Sequence, residues 1–265
     1  MVGWMTGIAV EQRRVVLSEW TKLRSVRSTR WSLLIAVSAT VGIAALACAV
    51  VSHHYPQMDA HDRADFHPLD VTFAGVQLAQ LAIGVLGVLV ITAEYSTGMI
   101  RSSLTAVPKR LPVLWAKAAV YGLVTLALMI PATLAAFFLG QALLAPHHID
   151  IGFTHSGVAR AVVGAALYLT AVGLFGLGLG AIVRNTAGGI AAFAAIMFVL
   201  PPLMNVLPAS WNNAVSPYLP LAAGEAIMSI TPGGQLSPWV GLGLFGAYTA
   251  AALGIAALLL VRRDT

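Results

Sequence analysis

The residues best suited to metal binding or to titration near neutral pH are histidines, and all seven lie in two stretches, 52–70 and 146–157. Imidazole together with carboxylate suits zinc, copper or nickel, and neutral histidine titrates at a pH of about 6.5. The candidate ligands are His53, His54, Asp59, His61, Asp65 and His67. No tight ligand spacing such as H-E-x-x-H is present. Three interpretations stay open: a metal site, an acid sensor, or loops whose polar residues serve only solubility.

A second polar stretch is the strip EYSTGMIRSSLTAVPKR, residues 94–110. It begins with an acid, contains three basic residues, and lies between two long apolar runs. Its role therefore depends on the elements that hold it.

Those elements are membrane spans, as composition indicates. The chain has 265 residues, 58% hydrophobic and 9% charged, whereas soluble domains are about a quarter charged. About 20 helical residues cross a hydrocarbon layer roughly 30 Å thick. Six nearly charge-free runs reach at least 21 residues, and they are 31–51, 71–93, 118–145, 161–183, 187–207 and 239–261. The sequence predicts an all-α membrane protein with six transmembrane helices.

The distribution of basic residues predicts the orientation of these helices. Cytoplasmic flanks retain Lys and Arg, and a cytoplasmic N-terminus places 13 of the 15 on the inner side, leaving Arg63 and Arg160 outside. Both termini are then cytoplasmic. The net charge of +5 is explained by topology, so no nucleic-acid partner is expected.

Residues 1–30 are predicted to form a cytoplasmic unit ahead of the transmembrane domain, 31–265. Val16, Trp20 and Leu23 recur at helical spacing among basic residues, which is typical of an amphipathic helix in the headgroup layer. The residues assigned to this interface helix are Glu19, Trp20, Lys22, Arg24 and Arg27. The alternative is a solvated basic tail attracted to anionic lipid.

In this topology the strip 94–110 is cytoplasmic. A carboxylate at a helix C-terminus opposes the helix dipole, so Glu94 predicts a cationic partner, either Arg101 or Lys117. Gly98 permits a turn, and Pro108 stops a short helix that would lie across the ends of two spans. The alternative is a basic connector kept only for topology.

Two further spans have distinctive residues. Gly173, Gly176 and Gly180 lie in the fourth span, where glycine usually permits close approach of another helix. Pro201 and Pro202 should kink or end the fifth span. The segment 208–238 has no Lys or Arg and semi-apolar pieces, which favours short helices dipping into the outer membrane face.

The sequence lacks the residues that several kinds of membrane transport and catalysis require. No acid or histidine is central in a span, which disfavours an ion-coupled transporter and an intramembrane hydrolase. For Gln77 and Gln80, interhelical hydrogen bonding is favoured over substrate contact. The phosphate-binding sequence G-x-x-x-x-G-K-[ST] is missing, so any ATP that drives this protein binds another chain.

Four stretches resemble permease subunits of the type-two ATP-binding-cassette (ABC) transporter family, especially those of actinobacteria. They are LSEWTKLRSVRSTRWSLL at 17–34, EYSTGMIRSSLTAVPKRLPVLWAKA at 94–118, GLGLGAIVRNTAGG at 176–189 and ALLLVRRDT at 257–265. The resemblance implies a dimer of six-helix permeases, either identical or related, with separate ATPase subunits that bind ATP and Mg²⁺. This chain would then have no cofactor and no enzymatic activity of its own.

The resemblance also implies a role for the strip 94–110. In that family the segment between spans two and three is a coupling helix that fits into a cleft of the ATPase, with the N-terminal helix beside it. The residues that match it are Glu94, Tyr95, Gly98, Ile100, Arg101, Leu104, Pro108, Lys109 and Arg110. The expected function is export of an amphipathic or apolar substrate across the plasma membrane. The alternative is a membrane sensor or assembly factor that reads metal or pH through its histidine-rich loops.

Overall fold

The computed structural model describes residues 18, 20–21, 27–64, 66–96, 110–206, 208–230 and 236–262, and this part of the chain is helical without strands. Six of its helices are long and apolar enough to cross a membrane. They are α1 (Arg27–His54), α2 (Ala74–Ser96), α3 (Arg110–Leu144), α4 (Val158–Val183), α5 (Thr186–Met204) and α6 (Pro238–Arg262). The predicted all-α, six-span membrane protein is confirmed.

Short helices connect these spans. Proline occupies the first turn of several of them, where its missing N–H and fixed φ suit a helix start. The α-helices are Ala60–Ala64, Pro68–Thr72, Ala209–Val215 and Pro220–Glu225, and the 3-10 helices are Tyr55–Gln57, Ala145–His147, Ser216–Tyr218 and Ala226–Met228. The segment between α5 and α6 is thus built from short helices.

Helix α4 is the centre of the bundle and packs against α2, α3 and α6. A Cβ atom added at Gly176 would overlap the carbonyl oxygen of Gly84 in α2, and one at Gly180 would lie 3.0 Å from the carbonyl oxygen of Val88. At Gly173 it would lie 2.8 Å from the Tyr121 hydroxyl. Glycine at 176 and 180 therefore lets the backbone of α4 contact the backbone of α2, and such van der Waals contact stabilises the association of helices in lipid.

Helix α5 changes its winding in the middle. Its segments Thr186–Ala194 and Leu200–Met204 are joined by a π-helical turn, Ala195–Val199. A proline ring collides with the carbonyl four residues earlier in an α-helix, and a wider turn precedes Pro201 here. The helix passes Pro201 and Pro202 and ends at Met204, so these prolines coincide with altered winding and do not end the span at once.

Several sequence predictions fall outside the described residues. In the interface helix these are Glu19, Lys22 and Arg24, whereas Trp20 lies in helical backbone with its side chain 49% exposed, and Arg27 begins α1. In the strip between α2 and α3 they are Gly98, Ile100, Arg101, Leu104, Pro108 and Lys109, whereas Arg110 begins α3. Asp65 also lies outside the described residues. Both the interface helix and the coupling helix stay predictions.

Candidate functional site

A buried ion pair joins α2 to α3 at the end where one stops and the other starts. The Nζ atom of Lys117 lies 2.9 Å from Oε1 of Glu94, and the two residues are only 3% and 7% exposed. Glu94 is three residues before the segment 97–109, and Lys117 is eight residues after it. Of the two cations predicted as partners of Glu94, Lys117 is confirmed, and Arg101 lies outside the described residues.

The charges of Lys117 and Glu94 neutralise each other at a buried position, where either charge alone would carry a large desolvation penalty. Moving an ion out of water costs several kcal/mol, and only a close, hydrogen-bonded counterion offsets that cost. The distance between Lys117 and Glu94 is typical of a charge-assisted hydrogen bond. The last turn of α2 is therefore fixed to α3 by an interaction whose rupture would leave a charge in a buried place.

Arg184 links the same turn of α2 to α4 and α6. It is the residue that ends α4, with φ at 58° and its N–H bonded to the Gly180 carbonyl. Its guanidinium carbon lies 5.4 Å from the centre of the Tyr95 ring, within the range of a cation–π contact. Its Nη2 donates a hydrogen bond of 3.1 Å to the carbonyl of Leu259 in α6.

Threonine side chains link α2 to the start of α5. The Thr186 hydroxyl donates to the Thr92 hydroxyl at 3.0 Å, and Thr92 donates in turn to the Val88 carbonyl. Asn185 caps α5 by accepting a hydrogen bond of 2.8 Å from the Gly188 N–H. Sequence reasoning missed both the Asn185 cap and the contact between Thr186 and Thr92.

We call these residues together the α2-end cluster, and they are Thr92, Glu94, Tyr95, Lys117, Arg184 and Thr186. Through the cluster, three residues at the end of α2, Thr92, Glu94 and Tyr95, contact α3, α5 and the end of α4 directly, and Arg184 extends the contact to α6. Such an arrangement passes a displacement of one helix end to its neighbours. Of the residues predicted for coupling, the structure brings Glu94 and Tyr95 into this cluster.

A chain of polar side chains lies at the other end of α2. The Tyr168 hydroxyl of α4 donates to Oε1 of Gln80, and Nε2 of Gln80 donates to Oε1 of Gln77 at 2.7 Å. Nε2 of Gln77 donates at 2.7 Å to Oε1 of Glu225, 148 residues away. The predicted interhelical hydrogen bonding is confirmed, but sequence reasoning missed its terminus, Glu225. The available signal was that Glu225 is the single acid between 208 and 238.

Glu225 is half-buried at the end of the short helix Pro220–Glu225. Burial raises the pKa of its carboxyl above the usual range, and the hydrogen bond from Gln77 partly offsets this rise. We call Gln77, Gln80, Tyr168 and Glu225 the Gln77–Glu225 chain.

The histidine-rich stretches are spread over several short elements. His53 and His54 end α1 with ring centres 5.2 Å apart, His61 lies in Ala60–Ala64, and His67 precedes Pro68. His147 lies 6.1 Å from the ring of Tyr55. Within the described ranges, no three His, Cys, Asp or Glu side chains form a group that could hold a metal ion. The metal interpretation therefore has no observation in its favour.

The fold defines a multi-pass membrane protein whose polar side chains gather at the two ends of α2. No protein-family model matches this sequence, and the comparison with curated proteins finds no match either.

Proposed function

We propose that this chain is the transmembrane subunit of an ABC exporter of the plasma membrane. A separate subunit would bind and hydrolyse ATP with Mg²⁺, and this chain would provide the path for an amphipathic or apolar substrate. The observation that carries the proposal is the α2-end cluster, because it lies at both ends of the segment 97–109 that resembles a coupling helix.

The position of Glu94 and Lys117 supports a mechanical role for that segment. A force applied to 97–109 reaches the bundle where α2 ends and α3 begins, and the ion pair makes those two ends move together. Arg184 and Thr186 extend the connection to the remaining helices of the same end. Coupling between two sites requires an element with two arrangements that both sites bias, and a helix end held by discrete polar contacts is suited to that role.

Composition of the spans supports an apolar path. Six spans of this hydropathy offer few polar groups to a solute, which suits efflux of an amphipathic compound better than uptake of a hydrophilic nutrient. In the family that the sequence resembles, two permeases complete one pathway. The proposal therefore includes a second copy of this chain or a related permease.

Reconstitution tests the proposal. The chain is co-expressed with a candidate ATP-binding subunit, chosen from adjacent reading frames by its phosphate-binding loop, and the complex is placed in lipid vesicles. We expect association of the two subunits and ATP-driven movement of rhodamine 6G, a fluorescent amphipathic compound. An ATP-binding subunit that never associates, or a complex with ATPase activity and no transport of any amphipathic probe, contradicts the proposal.

Matched variants test the role of the α2-end cluster within that complex. Glu94→Gln should leave ATP hydrolysis intact and lower transport about ten-fold or more. The double variant Glu94→Gln/Lys117→Met has neither buried charge, so it should fold stably and still fail to couple. Asp70→Asn changes an exposed acid at the opposite end of the bundle and should transport normally. Unchanged transport in both cluster variants overturns the assignment.

A further inference from the structure

Glu225 receives a hydrogen-bond chain whose donors all point toward its carboxylate. Tyr168 donates to Gln80, Gln80 to Gln77, and Gln77 to Glu225. Successive amide dipoles therefore align to favour negative charge at Oε1 of Glu225, since hydrogen bonds in a row polarise one another. Three side chains on two helices are thus arranged around one acid.

This acid has no cationic neighbour among the described residues. No Lys, Arg or His there lies within 4.0 Å of Glu225, whereas Glu94 has Lys117. Arg160, which lies beside the turn that follows Glu225, donates its hydrogen bonds to the carbonyls of Ile227 at 3.2 Å and Ser229 at 2.8 Å. Glu225 is consequently stabilised by dipoles and not neutralised, at a half-buried position where a counterion would be favourable.

The site is open on one side and apolar around its opening. Gln77 is exposed although Gln80 behind it is fully buried. Leu81, four residues after Gln77 and therefore next to it on the helix surface, is 40% exposed, and Leu78, three residues before Leu81, is 54% exposed. A carboxylate and an amide edged by leucines match a ligand that has a positive head and an apolar body.

We propose that Glu225 and Gln77 bind the ammonium head of an amphipathic cation, with its apolar body lying along Leu78 and Leu81. The inference rests on the proposed function, since it names the substrate class of the exporter. Glu225 supplies the charge and one acceptor oxygen, and Gln77 holds that carboxylate in place.

A purely structural role for Glu225, as a tether of the short helix to α2, makes a different prediction. Glu225→Gln removes the charge and keeps an oxygen that can accept from Gln77, so a tether would survive it. Gln77→Leu removes the tether and keeps the charge. If the site binds cations, Glu225→Gln is the more damaging of the two for binding, although it is the milder for structure.

Binding is measured on the full chain alone in lipid nanodiscs, without ATP or partner. The probes are a dansyl-labelled alkyl trimethylammonium and its neutral tert-butyl analogue, which has carbon in place of nitrogen, each corrected for empty nanodiscs. We expect saturable binding of the cation, about ten-fold or more weaker binding in Glu225→Gln, and no such loss in Asp70→Asn. Equal affinity for both probes, no saturable binding, or unchanged affinity in Glu225→Gln overturns the proposal.

The cation-site proposal and the exporter proposal can be refuted separately. A chain that binds the trimethylammonium probe but never associates with an ATP-hydrolysing subunit retains the cation site and loses the exporter. A chain that transports with its ATPase yet binds both probes alike retains the exporter and loses the cation site.

Discussion

Breaking the ion pair between Glu94 and Lys117 should have a large and asymmetric effect on stability. Both residues are almost fully buried, with 2.9 Å between Nζ and Oε1. Removing one partner of a buried pair costs about 3–5 kcal/mol because a charge stays behind in a poorly solvated place. Replacing both partners with neutral side chains of similar volume is often close to neutral.

The perturbation is therefore a double-mutant cycle made of Glu94→Gln, Lys117→Met and their combination. We expect each single variant to lower the free energy of unfolding by about 3 kcal/mol or more, and the double variant to recover most of that loss. The interaction energy of the cycle should exceed about 1.5 kcal/mol, which lies within the range seen for residues in direct contact.

The assay is reversible unfolding in mixed detergent micelles, followed by tryptophan fluorescence. A control substitution at an exposed position, Asp70→Asn, sets the size of an ordinary surface change, which is about 0.5 kcal/mol or less. If the two single losses simply add in the double variant, within about 0.5 kcal/mol, the residues are not coupled and the reasoning about the α2-end cluster is wrong.

Three other changes test separate parts of the account. Gly176→Ala should lower the free energy of unfolding by about 1–3 kcal/mol because the added Cβ would overlap the backbone of α2. Gly254 in α6 has open space around it, so Gly254→Ala should be neutral or slightly stabilising in the same unfolding assay. Burial raises the pKa of Glu225, so its carboxylate becomes neutral at a higher pH than that of an ordinary glutamate. Affinity for the trimethylammonium probe should therefore fall as the pH drops through that raised pKa, whereas affinity for the tert-butyl analogue should stay constant. A parallel fall for both probes would refute the role of the charge. The other charged or titratable residues on elements packed against this helix are Arg160, Tyr168, Tyr218, Tyr248 and Arg262. Gly98→Val, in the segment predicted to couple, should reduce transport more than ATP hydrolysis, and equal reduction of both would count against that prediction.

The six spans could be predicted because length and hydropathy alone decide them. The predicted sixth span, 239–261, differs from α6 by one residue at each end. The third span was predicted to start at 118, whereas α3 starts at Arg110. A search for charge-free runs stops at Lys117, but Glu94 neutralises that charge, and the helix continues through it.

The polar groups could be predicted only in part. A carboxylate at a helix C-terminus indicates that a cation is near, so the pairing of Glu94 was within reach of the sequence. The bond between Gln77 and Glu225 was not, because it joins residues 148 apart whose proximity depends on how the short helices between α5 and α6 fold back. The π-helical turn of α5 was also missed, since proline predicts a disturbance and not its form.

We propose that the segment 97–109 lies in the cytoplasm and receives work from an ATP-hydrolysing subunit. Cys48 is the single cysteine of the chain and is fully buried, so a thiol introduced by Ser103→Cys can be addressed selectively in whole cells. A membrane-permeant bifunctional maleimide should join it to a cysteine introduced in the co-expressed ATP-binding subunit, and the yield should change when ATP hydrolysis is blocked. Absence of that product, together with labelling of the same thiol by an impermeant maleimide added outside intact cells, would contradict the account.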